Sequence, residues 1–199
     1  MTVSVKELRK QAITAHREGR LNEALGLYLD ALEGARGSDV SDILGNIGGL
    51  YFELGETTNA QKFLEKGLRE AKTHSNTVVA SAINRYLGRV LRHQGRLVEA
   101  VQCLKESERL LRGLNQEDKL LSTILALGET YLELRQRLEA EQYLLKAQNL
   151  ALKQGDKARA RRARAGTCAC WSCRPRASWP RRSPTASTPT ADTPGCARR

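Results

Sequence analysis

Several residue types are scarce or missing over most of this 199-residue chain. Residues 1–160 contain no proline, no tryptophan and a single cysteine, Cys103, so no disulfide can form within them. Aromatic residues make up 5% of the whole chain, which is few for a β-sandwich or barrel. No apolar run approaches the ~18 residues that a membrane-spanning helix needs, and the polar N-terminus lacks the apolar core of a signal peptide. We therefore expect no membrane association and a soluble cytoplasmic protein, with the nucleus as the alternative location.

The basic charge of the chain is concentrated near its C-terminus. The chain has 33 Lys and Arg against 22 Asp and Glu, a net charge of +11. Residues 161–199 hold nine arginines and one acid, Asp192, which leaves a net charge of only +3 for residues 1–160. All five prolines, both tryptophans and four of the five cysteines also follow residue 161. The sequence therefore divides into a nearly balanced part, 1–160, and an unlike part, 161–199.

Residues 1–160 are rich in the helix formers Leu, Ala, Glu, Arg and Gln and contain an internal repeat. The repeated phrase reads GGLYFELGETTNA at 48–60, GRVLRHQGRLVEA at 88–100 and GETYLELRQRLEA at 128–140, with a weaker copy, AITAHREGRLNEA, at 12–24. Its small residues are Gly48, Gly88, Gly128, Ala24, Ala60, Ala100 and Ala140. The alanines are spaced by 36, 40 and 40 residues. A fixed period of this length is typical of a solenoid of stacked helical units.

Within one copy the spacing predicts two helices joined by a tight corner. Asn84, Leu87 and Leu91 share one helical face with Gly88, while Ala100 and Leu104 begin a second face after Gly95. We expect the Gly and Ala positions to lie where two helix axes approach closely. A larger side chain there would overpack the contact at a cost of about 1–3 kcal/mol.

The repeat resembles the tetratricopeptide repeat (TPR). Its Leu-Gly signature is carried by 87–88 and 127–128, its Tyr by Tyr51 and Tyr131, and its central Ala is followed by Leu64, Leu104 and Leu144. The 40-residue spacing is similar to the longer class found in the LGN/Pins and rapsyn scaffolds. The resemblance implies an all-α, right-handed superhelical array of about four antiparallel helix pairs, with repeats near 5–38, 41–74, 81–114 and 121–154. Arg135 departs from it, because it replaces the corner Gly of the fourth copy.

The resemblance also implies that the first helix of each pair lines a concave, peptide-binding groove. The groove residues that it singles out are Arg9, Asn46, Arg85, Arg89 and Arg92. The last three lie at i, i+4 and i+7 and form a basic stripe that suits the carboxylates of a partly acidic peptide, while Asn46 can bind a peptide backbone as donor and acceptor. The alternative is a solvated face, on which Arg89 or Arg92 pairs with Glu53 or Glu133 of a neighbouring copy.

The sequence contains no arrangement that indicates an enzyme. His16, His74 and His93 lie in separate copies, and none has a Cys or a second His at metal-ligand spacing. No phosphate-binding glycine loop or nucleophile motif occurs. We predict a non-enzymatic scaffold or adaptor with no cofactor and no metal, whose partner is a protein or peptide.

Residues 166–199 contain no Leu, Ile, Val, Met, Phe or Tyr, which predicts disorder. Residues 157–164 look like the entry of a fifth helix, but Thr167 and Cys168 stand where its Leu-Gly is due. Our hypothesis is that 161–199 is a truncated repeat entry followed by an alternative or frame-shifted C-terminus on a longer repeat protein. The three closely spaced cysteines at 168–173 do not match the paired hooks of a structural zinc site.

The C-terminal part of the chain, residues 161–199, leads to two further expectations. The second helix of the fourth copy would lose its neighbour and expose Tyr143, Leu144, Ala147, Leu150 and Leu152, which would favour self-association. The Arg-rich segment 157–182 supports a rival function, the binding of RNA or another polyanion, which we expect less than peptide binding.

Overall fold

The computed structural model describes residues 4–172 of the chain, and the side chains of residues 4–168. These residues form nine α-helices and no strand, so the prediction of an all-α fold is confirmed. The helices are α1 (Val5–Arg17), α2 (Leu21–Gly34), α3 (Ser38–Glu53), α4 (Thr57–Thr73), α5 (Thr77–His93), α6 (Leu97–Leu111), α7 (Glu117–Glu133), α8 (Arg137–Lys153) and α9 (Lys157–Ser172). The helices α3, α5 and α7 begin three to four residues before the repeat starts expected at 41, 81 and 121.

Consecutive helices form four antiparallel pairs, α1–α2 to α7–α8, and α9 follows, packed on α8 and α7. The corner within each pair is closed by one residue in the left-handed region, with φ of 78° at Gly19, 83° at Gly55, 78° at Gly95 and 59° at Arg135. Glycine adopts this region without strain, whereas a residue with a Cβ does not. The fourth corner is therefore the strained one.

The two helices of a pair touch where the repeat places its glycines. A Cβ added to Gly48 would lie 2.5 Å from Leu64 Cγ, and one added to Gly88 would lie 2.5 Å from Leu104 Cγ. At Gly128 the nearest atom would be Leu144 Cγ, at 2.7 Å. Each glycine thus lets a leucine of the second helix pack directly on the backbone of the first. The second helices have a fully buried alanine in their first turn, at Ala24, Ala60, Ala100 and Ala140.

Contacts between pairs give the array its curvature. Helix α3 contacts α5, α5 contacts α7, and α7 contacts α9, whereas no comparable contact joins α2 to α4, α4 to α6 or α6 to α8 among the described residues. The first helices are therefore closer together than the second helices. They form the concave side of the solenoid, and α5 lies near its centre.

The hydrophobic core runs along the solenoid between the two layers of helices. Its largest fully buried side chains are Tyr28, Ile43, Leu44, Ile47, Leu50, Leu64, Ile83, Leu104, Leu111, Leu121, Leu127 and Leu144. Every pair contributes to it, so each repeat is stabilised chiefly by its neighbours.

Helix α9 corrects the prediction that order ends near residue 165. Its backbone begins at a cap, because the Arg159 amide donates a hydrogen bond to Asp156 Oδ1 at 2.9 Å. Small residues then pack closely on α8: Ala160 and Ala163 are buried, and a Cβ on Gly166 would lie 2.8 Å from Leu144 Cδ1. The expectation of disorder from 166 onward considered only bulky apolar residues, whereas alanine and glycine suffice for this close packing.

The same helix removes the exposed edge that we expected on α8. Leu144 and Ala147 are fully buried, and Tyr143 and Leu150 are partly buried. Of the five residues expected at this edge, only Leu152 is exposed. Helix α9 therefore covers most of the edge through which we expected self-association, and self-association itself stays a prediction. The disorder predicted for residues 173–199 lies outside the described residues.

The glycine contacts can be tested with a matched pair of variants. We expect Gly88→Ala to lower the free energy of unfolding by about 1–3 kcal/mol, because the new Cβ collides with Leu104. Gly26→Ala is the control, since Gly26 lies in helix α2 with no atom near its added Cβ; it should raise the free energy by about 0.5–1 kcal/mol. Urea denaturation followed by circular dichroism measures both, and equal effects would contradict the contact.

The corner at Arg135 provides a second test. A residue with a Cβ in the left-handed region costs about 1–2 kcal/mol, and replacing Arg135 with glycine removes this strain. The gain is partly offset because glycine loses more conformational entropy on folding. We expect Arg135→Gly to raise the free energy of unfolding by about 0.5–1 kcal/mol. The reverse change at an equivalent corner, Gly95→Ala, should lower it by about 1 kcal/mol. Destabilisation by Arg135→Gly would show that the arginine side chain matters more than its backbone.

Candidate functional site

The basic stripe of α5 faces the concave side and rests on aromatic rings. The guanidinium carbon of Arg85 lies 4.6 Å from the centroid of the Tyr86 ring. That of Arg89 lies 4.8 Å from the Phe52 ring and 5.7 Å from Tyr86. The Tyr86 ring packs beside Gly49 of α3, where an added Cβ would make an ordinary van der Waals contact, 3.4 Å from Tyr86 Cζ. Cation–π contacts therefore hold both arginines at the groove surface.

Neither Arg85 nor Arg89 is neutralised. No carboxylate of the described residues lies within salt-bridge distance of either side chain, although both are half-buried. The Nε atom of Arg85 is buried without a hydrogen-bond partner. Burial also lowers the pKa of Arg89 from its ordinary value, and the charges of Arg85 and Arg92 lower it further, while Tyr86 and Glu53 partly offset the shift. This part of the groove therefore carries positive charge without a bound counter-ion.

Arg92, the third residue of the stripe, is paired. Its Nη1 lies 2.8 Å from Glu129 Oε2, and its Nε lies 3.7 Å from Glu133 Oε1. These contacts join α5 to α7, as the solvated-face alternative expects for this residue. Glu53 does not pair with Arg89 and instead accepts a hydrogen bond from His16 Nε2 at 2.8 Å. Pairing with a carboxylate of a neighbouring copy, which is the solvated-face alternative, therefore occurs at Arg92 and not at Arg89.

Helix α9 adds two arginines that the sequence analysis did not assign to the groove. Arg162 Nη2 lies 2.9 Å from Glu129 Oε2. Arg159 forms an ion pair with Asp156 at 2.6 Å and donates a hydrogen bond to the Asp118 carbonyl at 3.2 Å. The four repeats expected from the sequence end near residue 154, so neither arginine falls on a predicted groove helix. Extending the 40-residue spacing by one more copy identifies Arg162, because it lies 40 residues after Ser122 of α7 and so occupies the equivalent position on α9.

These side chains enclose a cavity of about 420 Å³ between α5, α7 and α9. Its floor is the α7 surface at Ser122, Leu125, Ala126 and Glu129. Its walls are five arginines, and we call the whole cavity the arginine slot: Arg85, Arg89 and Arg92 on α5, with Arg159 and Arg162 on α9. The arrangement can bind an anion from two sides.

Asn46 lies beside the slot. It is half-buried in a smaller depression of about 80 Å³, lined by apolar residues that include Val79, Ala82 and Ile83 and by the charged residues Asp42 and Lys119. Tyr86 lines this depression too and carries Arg85 on its ring, so the depression adjoins the slot.

Arg9 is separated from this centre by its own ion pairs. Its Nη1 lies 2.9 Å from Asp39 Oδ1, and its Nη2 hydrogen-bonds Asp42. These contacts join α1 to α3. The structure therefore lines one cavity with Arg85, Arg89 and Arg92 and the adjoining depression with Asn46, whereas Arg9 lines neither and is bound to Asp42 at the edge of that depression.

Other functional chemistry is sparse in the part of the chain that is described. No group of three or more His, Cys, Asp or Glu side chains is placed to hold a metal ion within it. Cys103 is partly buried, and this burial raises the pKa of its thiol. No helix within residues 4–172 is long and apolar enough to cross a bilayer.

Comparison with known families agrees with the glycine contacts and the pair-by-pair packing. Two family models described as tetratricopeptide repeat match residues 41–74 and 78–153, which together exceed half of the chain. The chain belongs to the tetratricopeptide repeat family. TPR arrays are generally non-catalytic scaffolds that present an extended surface to a protein partner. The family thus supports a protein-interaction scaffold made of repeats as the general role of this chain.

Solved structures show the same TPR solenoid at low sequence identity. A signal-transduction ATPase with a TPR sensor from Pyrococcus horikoshii superposes with a TM-score of 0.76 at 15% identity, over 84% of this chain and 26% of that one. Aspartyl phosphate phosphatase F from Bacillus subtilis superposes with a TM-score of 0.76 at 12% sequence identity, over 85% of this chain and 45% of that one. A Rap protein complexed with competence and sporulation factor superposes with a TM-score of 0.67 at 13% sequence identity, over 84% of this chain and 54% of that one. The chain thus covers less than two thirds of each of these neighbours. No curated protein matches its sequence.

The pairing of Arg92 with Glu129 should couple adjacent TPR units. Their side chains are 23% and 20% exposed, so the pair is better shielded from solvent than the Arg109–Glu106 pair, at 68% and 43%. In double-mutant cycles with alanine, we expect a coupling energy of about 0.5–1.5 kcal/mol for Arg92–Glu129. The control pair should give less than about 0.5 kcal/mol. Equal coupling in the two cycles would contradict a link between repeats.

Proposed function

We propose that this chain is a TPR scaffold that binds a partner peptide, partly acidic, in the concave groove at α5. The single observation that carries the proposal is the pair Arg85 and Arg89, two half-buried cations with no carboxylate partner among the described residues. A buried charge without a counter-ion is unfavourable. An acidic side chain of a partner would supply the missing charge.

The aromatic contacts favour this binding in advance. Tyr86 and Phe52 already restrict the two guanidinium groups, so less side-chain entropy is lost when a ligand arrives. A guanidinium presents parallel N–H donors that match the two oxygens of a carboxylate. Arg85 and Arg89 are therefore the residues to which we assign recognition of acidic groups.

Asn46 and its depression are suited to the neighbouring part of the peptide. The amide of Asn46 offers a donor and an acceptor, as the backbone of an extended peptide requires. The apolar lining at Val79, Ala82 and Ile83 suits a small aliphatic side chain. A peptide lying across Tyr86 would reach both regions, with its apolar residue at Asn46 and its acidic residue at Arg85.

The other two predicted groove residues have a different role in this proposal. We assign Arg9 and Arg92 to the packing of adjacent repeats, because each is already bound to carboxylates of the next first helix. Among the structural neighbours, the Rap protein is complexed with competence and sporulation factor. That complex supports the binding of a partner by a solenoid of this fold.

The proposal is tested by reversing the two unpaired charges. With labelled degenerate peptide pools rich in Asp and Glu, the double variant Arg85→Glu, Arg89→Glu should bind at least about tenfold more weakly than the unaltered chain, since two charge-assisted contacts become repulsive. Fluorescence anisotropy measures the affinity, and circular dichroism verifies that the variant is folded.

A matched control makes the same charge change elsewhere. Lys62 and Lys66 share the i, i+4 spacing but are exposed on α4, in the outer layer of helices. The double variant Lys62→Glu, Lys66→Glu should retain the affinity of the unaltered chain. If both double variants lose affinity equally, the binding depends on net charge and the groove assignment is wrong.

A further inference from the structure

We propose that the acidic group bound in the arginine slot is a phosphate monoester on a serine or threonine of the partner peptide. The inference rests on the proposed function, because it specifies the chemistry of the peptide that this groove binds. It concerns the cavity between α5, α7 and α9 rather than the groove as a whole.

The charge of the slot exceeds what one carboxylate can neutralise. Five arginines line it, and Glu129 is the only carboxylate in its lining among the described residues. Arg159 is also offset at the rim by Asp118 and Asp156. Arg85 and Arg89 remain unpaired on the opposite wall. A phosphate monoester carries about −1.5 to −2 charges at neutral pH, which matches these two cations better than a carboxylate does.

Glu129 shows that both walls can reach one anionic oxygen. Its Oε2 atom accepts hydrogen bonds from Arg92 on α5 at 2.8 Å and from Arg162 on α9 at 2.9 Å. Glu129 thus occupies the slot as a built-in anion. A ligand with three acceptor oxygens could engage donors from both walls at once, whereas a carboxylate offers two oxygens in one plane.

The floor of the slot leaves room for such a group. Ser122 and Ala126 are small, and they lie where a long side chain on α7 would fill the cavity of about 420 Å³. On the wall, the buried Nε of Arg85 lacks a hydrogen-bond partner. A phosphate oxygen that reaches this N–H group would satisfy the donor and remove a cost that the free protein bears.

The surroundings favour a phosphopeptide over a nucleic acid. The slot is bounded by three helices, and two exposed carboxylates lie beside its α5 wall: Glu133 Oε1 is 3.7 Å from Arg92 Nε, and the charge of Glu53 raises the pKa of Arg89. A continuous polyanion following the groove would meet both of these negative charges. A peptide with a single phosphate would place its charge in the slot and its neutral residues beside Glu53 and Glu133.

The experiment uses the full chain and four labelled pools of short degenerate peptides. The pools are identical except for the central residue, which is phosphoserine, phosphothreonine, glutamate or serine. A mixed-sequence RNA oligonucleotide is the fifth probe. We expect the phosphorylated pools to bind at least about tenfold more tightly than the glutamate pool, because a second charge and a third acceptor are engaged. Arg85→Glu with Arg89→Glu should abolish this preference.

One further variant separates a binding role from a structural one. Glu129→Gln removes the built-in anion while keeping the shape of the side chain, so Arg92 and Arg162 become available to the ligand. We expect it to raise the affinity for the phosphorylated pools several-fold, about threefold to tenfold. A merely destabilised protein would bind more weakly, so a lower or unchanged affinity counts against the inference.

The remaining outcomes distinguish this inference from the proposed function. Equal affinity for the glutamate and phosphorylated pools would overturn the phosphate assignment and leave the acidic-peptide groove intact. Binding of RNA alone, with sensitivity to Arg85→Glu and Arg89→Glu, would overturn both in favour of a nucleic-acid site. Failure of every probe to bind the unaltered chain would overturn both as well.

Discussion

The contact on which this solenoid depends is that of one leucine against the backbone of one glycine, which recurs in three of the four helix pairs. Leu64 packs on Gly48 and Leu104 packs on Gly88 at distances that leave no room for a Cβ. This approach holds the two helices of a pair together and lets adjacent first helices touch. Because the contact recurs, the geometry of one pair is repeated along the chain, and the first helices form a continuous concave surface. The position of every groove residue follows from that repetition.

A repeated backbone with different side chains brings complementary charges together. Equivalent positions on neighbouring first helices lie side by side, so a residue on α5 meets one from α7 about one repeat later in the sequence. Arg92 and Glu129 are joined in this way, and Arg162 reaches the same carboxylate from α9. The arginine slot is thus a property of three consecutive repeats. Its floor stays open because α7 has Ser122 and Ala126 there.

Helix α9 illustrates how small residues can order a segment that lacks large apolar ones. Ala160 and Ala163 are buried against α8, and Gly166 leaves room for Leu144. Composition suggested disorder from residue 166, since hydrophobic burial is usually estimated from bulky side chains. The existing surface of α8 provides those side chains instead, and a smooth, small-residue face is enough to cover them. The arginines on the other side of α9 thereby become part of the groove.

The sequence by itself determined the helices, the 40-residue period, the small residues at the helix contacts and the stripe of Arg85, Arg89 and Arg92 on one face. All of these are set by spacing along a single helix or by its repetition. Only the tertiary structure decided which arginines are already neutralised: Arg9 and Arg92 are paired, whereas Arg85 and Arg89 rest on aromatic rings. The reason is physical, because an ion pair depends on the distance between side chains about 30–40 residues apart in sequence. Periodicity places a residue on a face, but the neighbouring helix sets the charge it meets.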